Sequence, residues 1–339
     1  MAMIRKRGSQ QWQAAIRKKG YPQQSKTFPT RAEAEAWAAV IESEMVRGVF
    51  VSRTIAEQTT LDDVLKQYET DVAPTHKGFS SERYRIRYLR GLPLAKRTIA
   101  SLQPKDFADY RDRRLLTVMP ATVERELTQL QQVIEHARRE WGVSLPENPV
   151  RIVKRPRYNN ERNRRLTMEE ESILMKALNP SERNGDGTFS AGVQNIWLKP
   201  AVILALETAM RQGEIVSLRW RHVDLEKGTA YLPDTKNGKP RTVPLSQKAR
   251  DTLEALPKSI DGRVFPITAN ALKLSWQRVI KRVNLGDLHF HDLRHEATSR
   301  LAKKVPNIIE LAAITGHRDV NMLRRYYHVS AEELAKKIA

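Results

Sequence analysis

The chain has 339 residues, with 59 Lys and Arg against 39 Asp and Glu, a net charge of +20 and no cysteine. That length holds two or three domains, the cationic excess points to a polyanionic partner, and the absence of cysteine excludes disulfides, thiolate nucleophiles and Cys-type zinc sites. A membrane is the weaker polyanion: the longest strongly apolar run, AVILAL at 201–206, is far short of the ~20 residues of a span. The opening MAMIRKRGSQQWQ carries charge but no apolar core of a signal peptide. The expectation is a cytoplasmic protein that binds nucleic acid.

Residues 1–56 form a first unit. Trp12, Ala14 and Ile16 alternate as on a strand, KKG follows as a turn, and SKTF supplies a second short strand. A helix then runs through TRAEAEAWAAVIESEMVRG. Thr30 and Glu33 make its capping box, Ala34, Trp37, Ala38, Ile41 and Met45 its apolar stripe, and Gly48 its end. The unit carries ten Lys and Arg against four Glu. It is a basic β-plus-helix module, with Arg5, Lys6, Arg7, Arg17, Lys18 and Lys19 as candidate DNA contacts.

Residues 60–150 read as four or five helices. Thr60 with Asp63 starts one, Pro104 suits the first turn of another, and Val123, Leu127, Leu130, Ile134, Ala137 and Trp141 line one side of the longest. Residues 151–165, RIVKRPRYNNERNRR, set seven basic residues against one acid. They read as a linker, either a solvated tether or one that runs along phosphates with Lys154, Arg155 and Arg157 as contacts. A larger mixed α/β domain occupies 166–339. Thr167 and Glu170 cap its first helix, and VQNIWLKPAVILALETAM is a buried helix. GTAYLPDTKNGKPRTVPL is a hairpin turning at Asn237-Gly238. Helices follow near 246–256, 269–283, 291–303, 306–314 and 331–338. The fold class is therefore multidomain and mainly α.

The last domain spaces out Arg211, Lys236, His291, Arg294, His317 and a tyrosine pair, Tyr326 and Tyr327. Singly these are weak signals: His136 and Arg139 also fit His-x-x-Arg, on what reads as a solvated helix face. Arg211 alone reads as a surface ion pair with Glu214, Lys236 alone as a solubilising hairpin tip and His317 alone as a core histidine at a turn. Together the set is what phosphodiester transfer needs without a metal or other cofactor. Arginine forks match the charge that builds on non-bridging oxygens. Cations and a histidine help a tyrosine lose its proton. A lysine can protonate the leaving 5′ oxygen.

TAMRQGEIVSLRW, TKNGKPRTVPL, HFHDLRHEATSRL and TGHRDVNMLRRYYHV resemble the catalytic boxes of the tyrosine recombinase (phage integrase) family, in order and spacing. The resemblance implies that Arg211 and Arg294 clamp the phosphate, that Lys236 is the general acid, and that His291 and His317 are the active-site histidines. Glu214 falls where an acidic residue supports the first arginine. Tyr326, nine residues after His317, takes the nucleophile's register, and Tyr327 becomes a packing residue. Residues 60–150 resemble the family's core-site-binding domain, and 1–56 its arm-site-binding module. The resemblance implies a site-specific recombinase, tetrameric on double-stranded DNA, nucleoid-associated, assisted by DNA-bending proteins, that integrates, excises or inverts an element. A type IB topoisomerase-like enzyme and a non-catalytic DNA-binding regulator are the alternatives.

Overall fold

The alternation of Trp12, Ala14 and Ile16 becomes the middle strand of a three-stranded antiparallel sheet, β1 (Ala2–Gly8), β2 (Gln11–Ile16) and β3 (Gln24–Phe28), in that order. The computed structural model describes residues 2–48, 50, 54–159, 162, 164–181, 185, 192–235 and 238–327. The chain divides into two compact units, Met1–Glu161 and Arg162–Ala339.

In the first unit, α1 (Arg31–Val46) lays Ala34, Ala38 and Met45 on Ala14 and Ile16. Thr30 Oγ1 accepts from the Glu33 amide at 3.3 Å, and Gly48 follows the helix at φ +72°. Strand β1 has no counterpart in the sequence reading. It holds Met3 and Ile4 followed by Arg5, Lys6 and Arg7, so no apolar alternation marks it. Its Ile4 pairs with Ala14, and its Arg5 with Gln13 on the face turned away from α1.

After α2 (Thr54–Gln58), four helices pack as a bundle: α3 (Leu61–Asp71), α4 (Phe79–Arg90), α5 (Pro104–Leu115) and α6 (Pro120–Glu140). Both halves of the Thr60–Asp63 capping box form, and Pro104 sits in the first turn of α5. Val123, Leu127, Leu130, Ile134 and Ala137 of the predicted α6 stripe are buried, with Leu65, Ile86 and Phe107 against them, and Trp141 is half-buried just past the helix end. The face that carries His136 and Arg139 is solvated at Arg139 and only half so at His136. The His136 ring meets Trp141 at 4.9 Å and Tyr68 at 5.6 Å, both edge-on, while Arg139 pairs with Glu135.

The second unit begins with α7 (Met168–Ala177), capped reciprocally by Thr167 and Glu170. It continues through α8 (Leu198–Thr208), α9 (Gln212–Val216), β4 (Val223–Asp224), β5 (Thr229–Leu232), β6 (Arg241–Pro244), α10 (Gln247–Glu254), α11 (Ala269–Arg282), α12 (Phe290–Lys304) and α13 (Ile308–Thr315), ending in a 3₁₀ turn, Val320–Tyr326. The buried helix α8 is central to the core, with Phe265, Trp276 and Leu293 around it. Strands β5 and β6 pair as a hairpin whose ladder stops at Leu232↔Arg241. The described residues 233–235 and 238–240 lie outside that ladder. Gly238, at φ +75°, donates to the Thr235 carbonyl at 2.9 Å. Asn237 and the helix expected near 331–338 lie outside the described residues.

The end of the basic linker is pinned rather than free. Arg162 pairs with Asp292 at 2.7 Å, Arg164 with Glu170 at 2.6 Å and Arg165 with Glu296 at 2.7 Å. The sequence shows seven cations and one acid there; the compensating acids come from α7 and α12. Among the described residues no helix is long and apolar enough to cross a membrane.

Candidate active site

Helix α8 ends at Thr208, and Ala209 turns the chain through the left-handed region at φ +53° so that Arg211 becomes the N-cap of α9. Three residues on, the Glu214 carboxylate accepts from the Arg211 amide at 2.8 Å and from Arg211 Nη1 at 2.9 Å. From β6, Arg241 docks its fork on the same carboxylate, Nη1 at 2.9 Å and Nη2 at 2.7 Å. Burial alone would raise the Glu214 carboxyl. The hydrogen bonds and charge of Arg241 and Arg211 outweigh it and hold the group down at about 2.

Arg294, on α12, is 4% exposed. It donates from Nη1 to the Ala209 carbonyl and from Nη2 to the Thr315 carbonyl at 2.7 Å, and among the described residues it has no carboxylate partner. Burial, then the neighbouring Arg211 and Arg241, push it down to about 9, so it stays charged at neutral pH. Three guanidiniums thus surround one carboxylate, and the surplus positive charge favours an anion.

Helix α13 ends at Gly316, whose φ of +71° admits few other residues, and a Cβ built there would lie 2.8 Å from Arg241 Nη1. The turn delivers His317. Its Nδ1 lies 2.7 Å from Thr315 Oγ1, whose hydroxyl donates to the Leu311 carbonyl at 2.7 Å. The network therefore assigns the proton to Nδ1 and leaves the Nε2 lone pair toward Arg294 Nη2 at 3.4 Å. Burial, then Arg294 and Arg211, lower His317 to about 3, keeping it neutral.

Tyr326 closes the terminal 3₁₀ turn. Its hydroxyl lies 2.5 Å from His295 Nδ1 and 3.0 Å from Arg325 Nη2. Tyr327 points elsewhere: its hydroxyl donates to the Val305 carbonyl at 2.7 Å, and its ring packs in a small cluster with Leu311 and Leu323. His291 is exposed in the first turn of α12, its ring edge-on to that of His295 at 5.0 Å. Lys236 lies outside the described residues. A cavity of about 180 Å³ opens beside the Tyr326 hydroxyl, bounded by Arg162, Arg165, His295, Ser299 and Arg325.

Arg211, Glu214, Arg294 and His317 are therefore brought together from three separate segments. His295, Arg325, Arg241 and Thr315 belong to the same cluster and were missed in the sequence. The signal for His295 was present: it stands four residues after His291, on the same helix face. The cationic candidates at 5–7, 17–19 and 154–157 lie in the first unit. There Arg5 donates to Gln13 at 3.0 Å, Lys6 sits over the Trp12 ring at 6.0 Å, and Arg17 donates to Gln23 at 2.9 Å. Lys18 lies 5.7 Å from the Tyr21 ring, and Arg7 and Lys19 are exposed. Lys154 offers its carbonyl to Arg111 at 2.8 Å, Arg155 donates to Gln131, and Arg157 is exposed.

A helical multidomain chain with a largely buried, anion-seeking arginine cluster and a phenol held beside it defines a class of phosphoryl-transfer protein. Residues 164–333 match the phage integrase family. The chain is 41% identical over 288 residues to a shufflon-specific DNA recombinase of Escherichia coli, covering 82% of this chain and 71% of that one. It is 35% identical over 343 residues to a putative integrase/recombinase of Haemophilus influenzae, covering 97% and 87%. In fold it is similar to the lambda integrase of a tetramer bound to a Holliday junction, with a TM-score of 0.58 and 20% identity, over 93% of this chain and 95% of that one. The chain belongs to the phage integrase family. It is a DNA strand-transferase, a site-specific tyrosine recombinase that cuts and rejoins strands through a 3′-phosphotyrosine intermediate.

Proposed function

We propose that Tyr326 is the nucleophile and that Arg211 and Arg294 clamp the scissile phosphate. Glu214 and Arg241 hold Arg211 in place, and His317 completes the clamp through its contact with Arg294. Lys236 is the acid for the departing 5′ oxygen, and His291 reaches the phosphate from the open end of α12. The observation that carries this reading is the surplus of three largely buried guanidiniums over one carboxylate, with Arg294 and the Tyr326-contacting His295 adjacent on one helix. Charge developing on the phosphorane oxygens finds donors already oriented and largely desolvated, which is where such donors act most strongly.

The other regions take supporting roles. Residues 60–150 bind core sites, 151–165 link the DNA-binding and catalytic regions, and 166–339 do the chemistry. The sheet of 1–56 binds flanking arm-type sites through the face that carries Arg5 and Gln13. The protein works as a homotetramer on nucleoid DNA with DNA-bending accessory proteins, and it integrates, excises or inverts an element. The lambda integrase tetramer on its junction supports the assembly by likeness of fold.

The test is a nicked suicide substrate that traps the covalent adduct. Tyr326→Phe should bind DNA and trap nothing; Tyr327→Phe should trap normally, with the adduct mapped to the peptide of Tyr326 by mass spectrometry. An adduct on Tyr327 would overturn the assignment. Lys236→Ala should regain cleavage on a 5′-thio substrate, whose leaving group needs no proton. Replacing Arg5 and Gln13 by Ala should erase the footprint on arm sequences and keep that on the core.

A further inference from the structure

The histidine in contact with the Tyr326 hydroxyl is His295, outside the set that the sequence motifs single out. Arg325 also reaches that hydroxyl, at 3.0 Å, and an arginine can only donate. The phenolic hydrogen therefore points at His295 Nδ1, 2.5 Å away. This imidazole nitrogen must carry the lone pair, and the ring proton sits on Nε2.

We propose that His295 accepts the proton of Tyr326 during strand cleavage, with Arg325 holding the phenolate as it forms. The proposal rests on Tyr326 being the nucleophile. The step balances. The Tyr326 O–H bond breaks and its proton goes to His295 Nδ1. The phenolate oxygen bonds to phosphorus, the bond from phosphorus to the 5′ oxygen breaks, and that oxygen takes a proton from the general acid. On rejoining, the 5′ hydroxyl gives its proton back to the general acid, its oxygen bonds to phosphorus, the bond from phosphorus to the Tyr326 oxygen breaks, and the phenolate takes its proton back from His295.

The surroundings suit an acceptor that waits for its substrate. Facing His295 are His291 one turn earlier, Asp292 and Arg294 beside it on α12, Arg325 and Tyr326 from the terminal turn, and Arg162, Arg164 and Arg165 across the cavity. Burial, then His291 and Arg325, keep the imidazole neutral, down at about 4. In that field it is too weak a base to ionise a resting phenol. A phosphodiester in the clamp adds negative charge, offsets those cations and strengthens the acceptor when the nucleophile is needed. Arg325 pairs with no acid among the described residues, and its guanidinium lies 5.1 Å from the Tyr326 ring centre, so its charge remains for the phenolate.

The experiment is single-turnover adduct formation on the suicide substrate by the full-length protein. His295→Ala should bind the site normally and attach ~10²–10⁴-fold more slowly, the range for a lost general base. Imidazole added to the buffer should restore part of the rate. His295→Asn, which keeps a polar acceptor near Nδ1, provides a second variant should the alanine protein fold poorly. Placing 3,5-difluorotyrosine at position 326, with its more acidic phenol, should accelerate His295→Asn more than it accelerates the otherwise unchanged protein. Full-rate attachment without His295 would overturn the proposal. So would a loss that neither imidazole nor fluorination relieves, which would mark a packing role. An adduct mapped to another residue would instead overturn the assignment of Tyr326 itself.

Discussion

Each unit of the molecule buries an arginine–glutamate cluster with a tyrosine against it, and the two treat the phenol in opposite ways. In the helical bundle, Arg114 donates to Glu126 at 2.9 and 3.1 Å and stacks on the Tyr88 ring at 4.2 Å, while Tyr110 gives its hydroxyl hydrogen to the same carboxylate at 2.6 Å. One cation meets one anion. Burial, then the bond to Glu126, push the Tyr110 phenol well up, so it stays protonated. In the second unit two guanidiniums share the Glu214 carboxylate, Arg294 lies near them with no carboxylate partner among the described residues, and Tyr326 faces an imidazole and a fourth guanidinium instead of an acid. A closed charge balance suits a structural tyrosine; a cationic surplus suits the nucleophile proposed at Tyr326.

The sharpest break of the comparison is at the phenols. Tyr326→Phe should abolish covalent attachment, whereas Tyr110→Phe should leave the single-turnover rate unchanged. Next come the arginines. Arg294→Ala should slow cleavage by ~10²–10³-fold with little loss of DNA affinity in a gel shift, as for a lost oxyanion donor. Arg114→Ala should instead cost about 3–5 kcal/mol of stability in urea by stranding Glu126, since removing one partner leaves a buried charge uncompensated.

A smaller effect sharpens the role of Glu214. Glu214→Gln should lower stability by roughly 1–3 kcal/mol, the weight of charge-assisted bonds. With the carboxyl held at about 2 against an ordinary 4.5, that contribution is complete above pH 4.5 and lost as pH falls through 2. His317 and His295 are held at about 3 and about 4 against an ordinary 6.5. The unfolded chain therefore binds the extra protons first. Stability should be full above pH 6.5 and decline toward pH 4, and His317→Asn should flatten that decline in urea titrations. The smallest effect is the stability cost of Tyr110→Phe, about 1 kcal/mol for one hydrogen bond.

Much of this was legible in the chain, for local reasons. The helix stripes of α1 and α6, the caps at Thr60 and Thr167, and the β5–β6 hairpin follow from periodicity and short-range bonding. Arg211, Glu214, Arg294 and His317 stood out because each lies in a recognisable run of residues. What escaped depends on approaches across long separations. Arg241 reads as one more cation on a hairpin until it meets Glu214 in the fold, and nothing local to Arg162 and Arg165 shows that Asp292 and Glu296 come to meet them. Strand β1 escaped because a sheet with one open face lets a strand be mostly charged.

Gly316 gives the arginine cluster a vulnerable point that carries no charge itself. Its left-handed turn and the Arg241 guanidinium packed over it leave no room for even a methyl group. A side chain at that position would displace Arg241, release Glu214 from one of its two arginines and shift His317 in the same stroke. A genetic selection for recombination-defective variants would therefore group changes at Gly316 with those at the arginines, although glycine has no side chain with which to hold a phosphate.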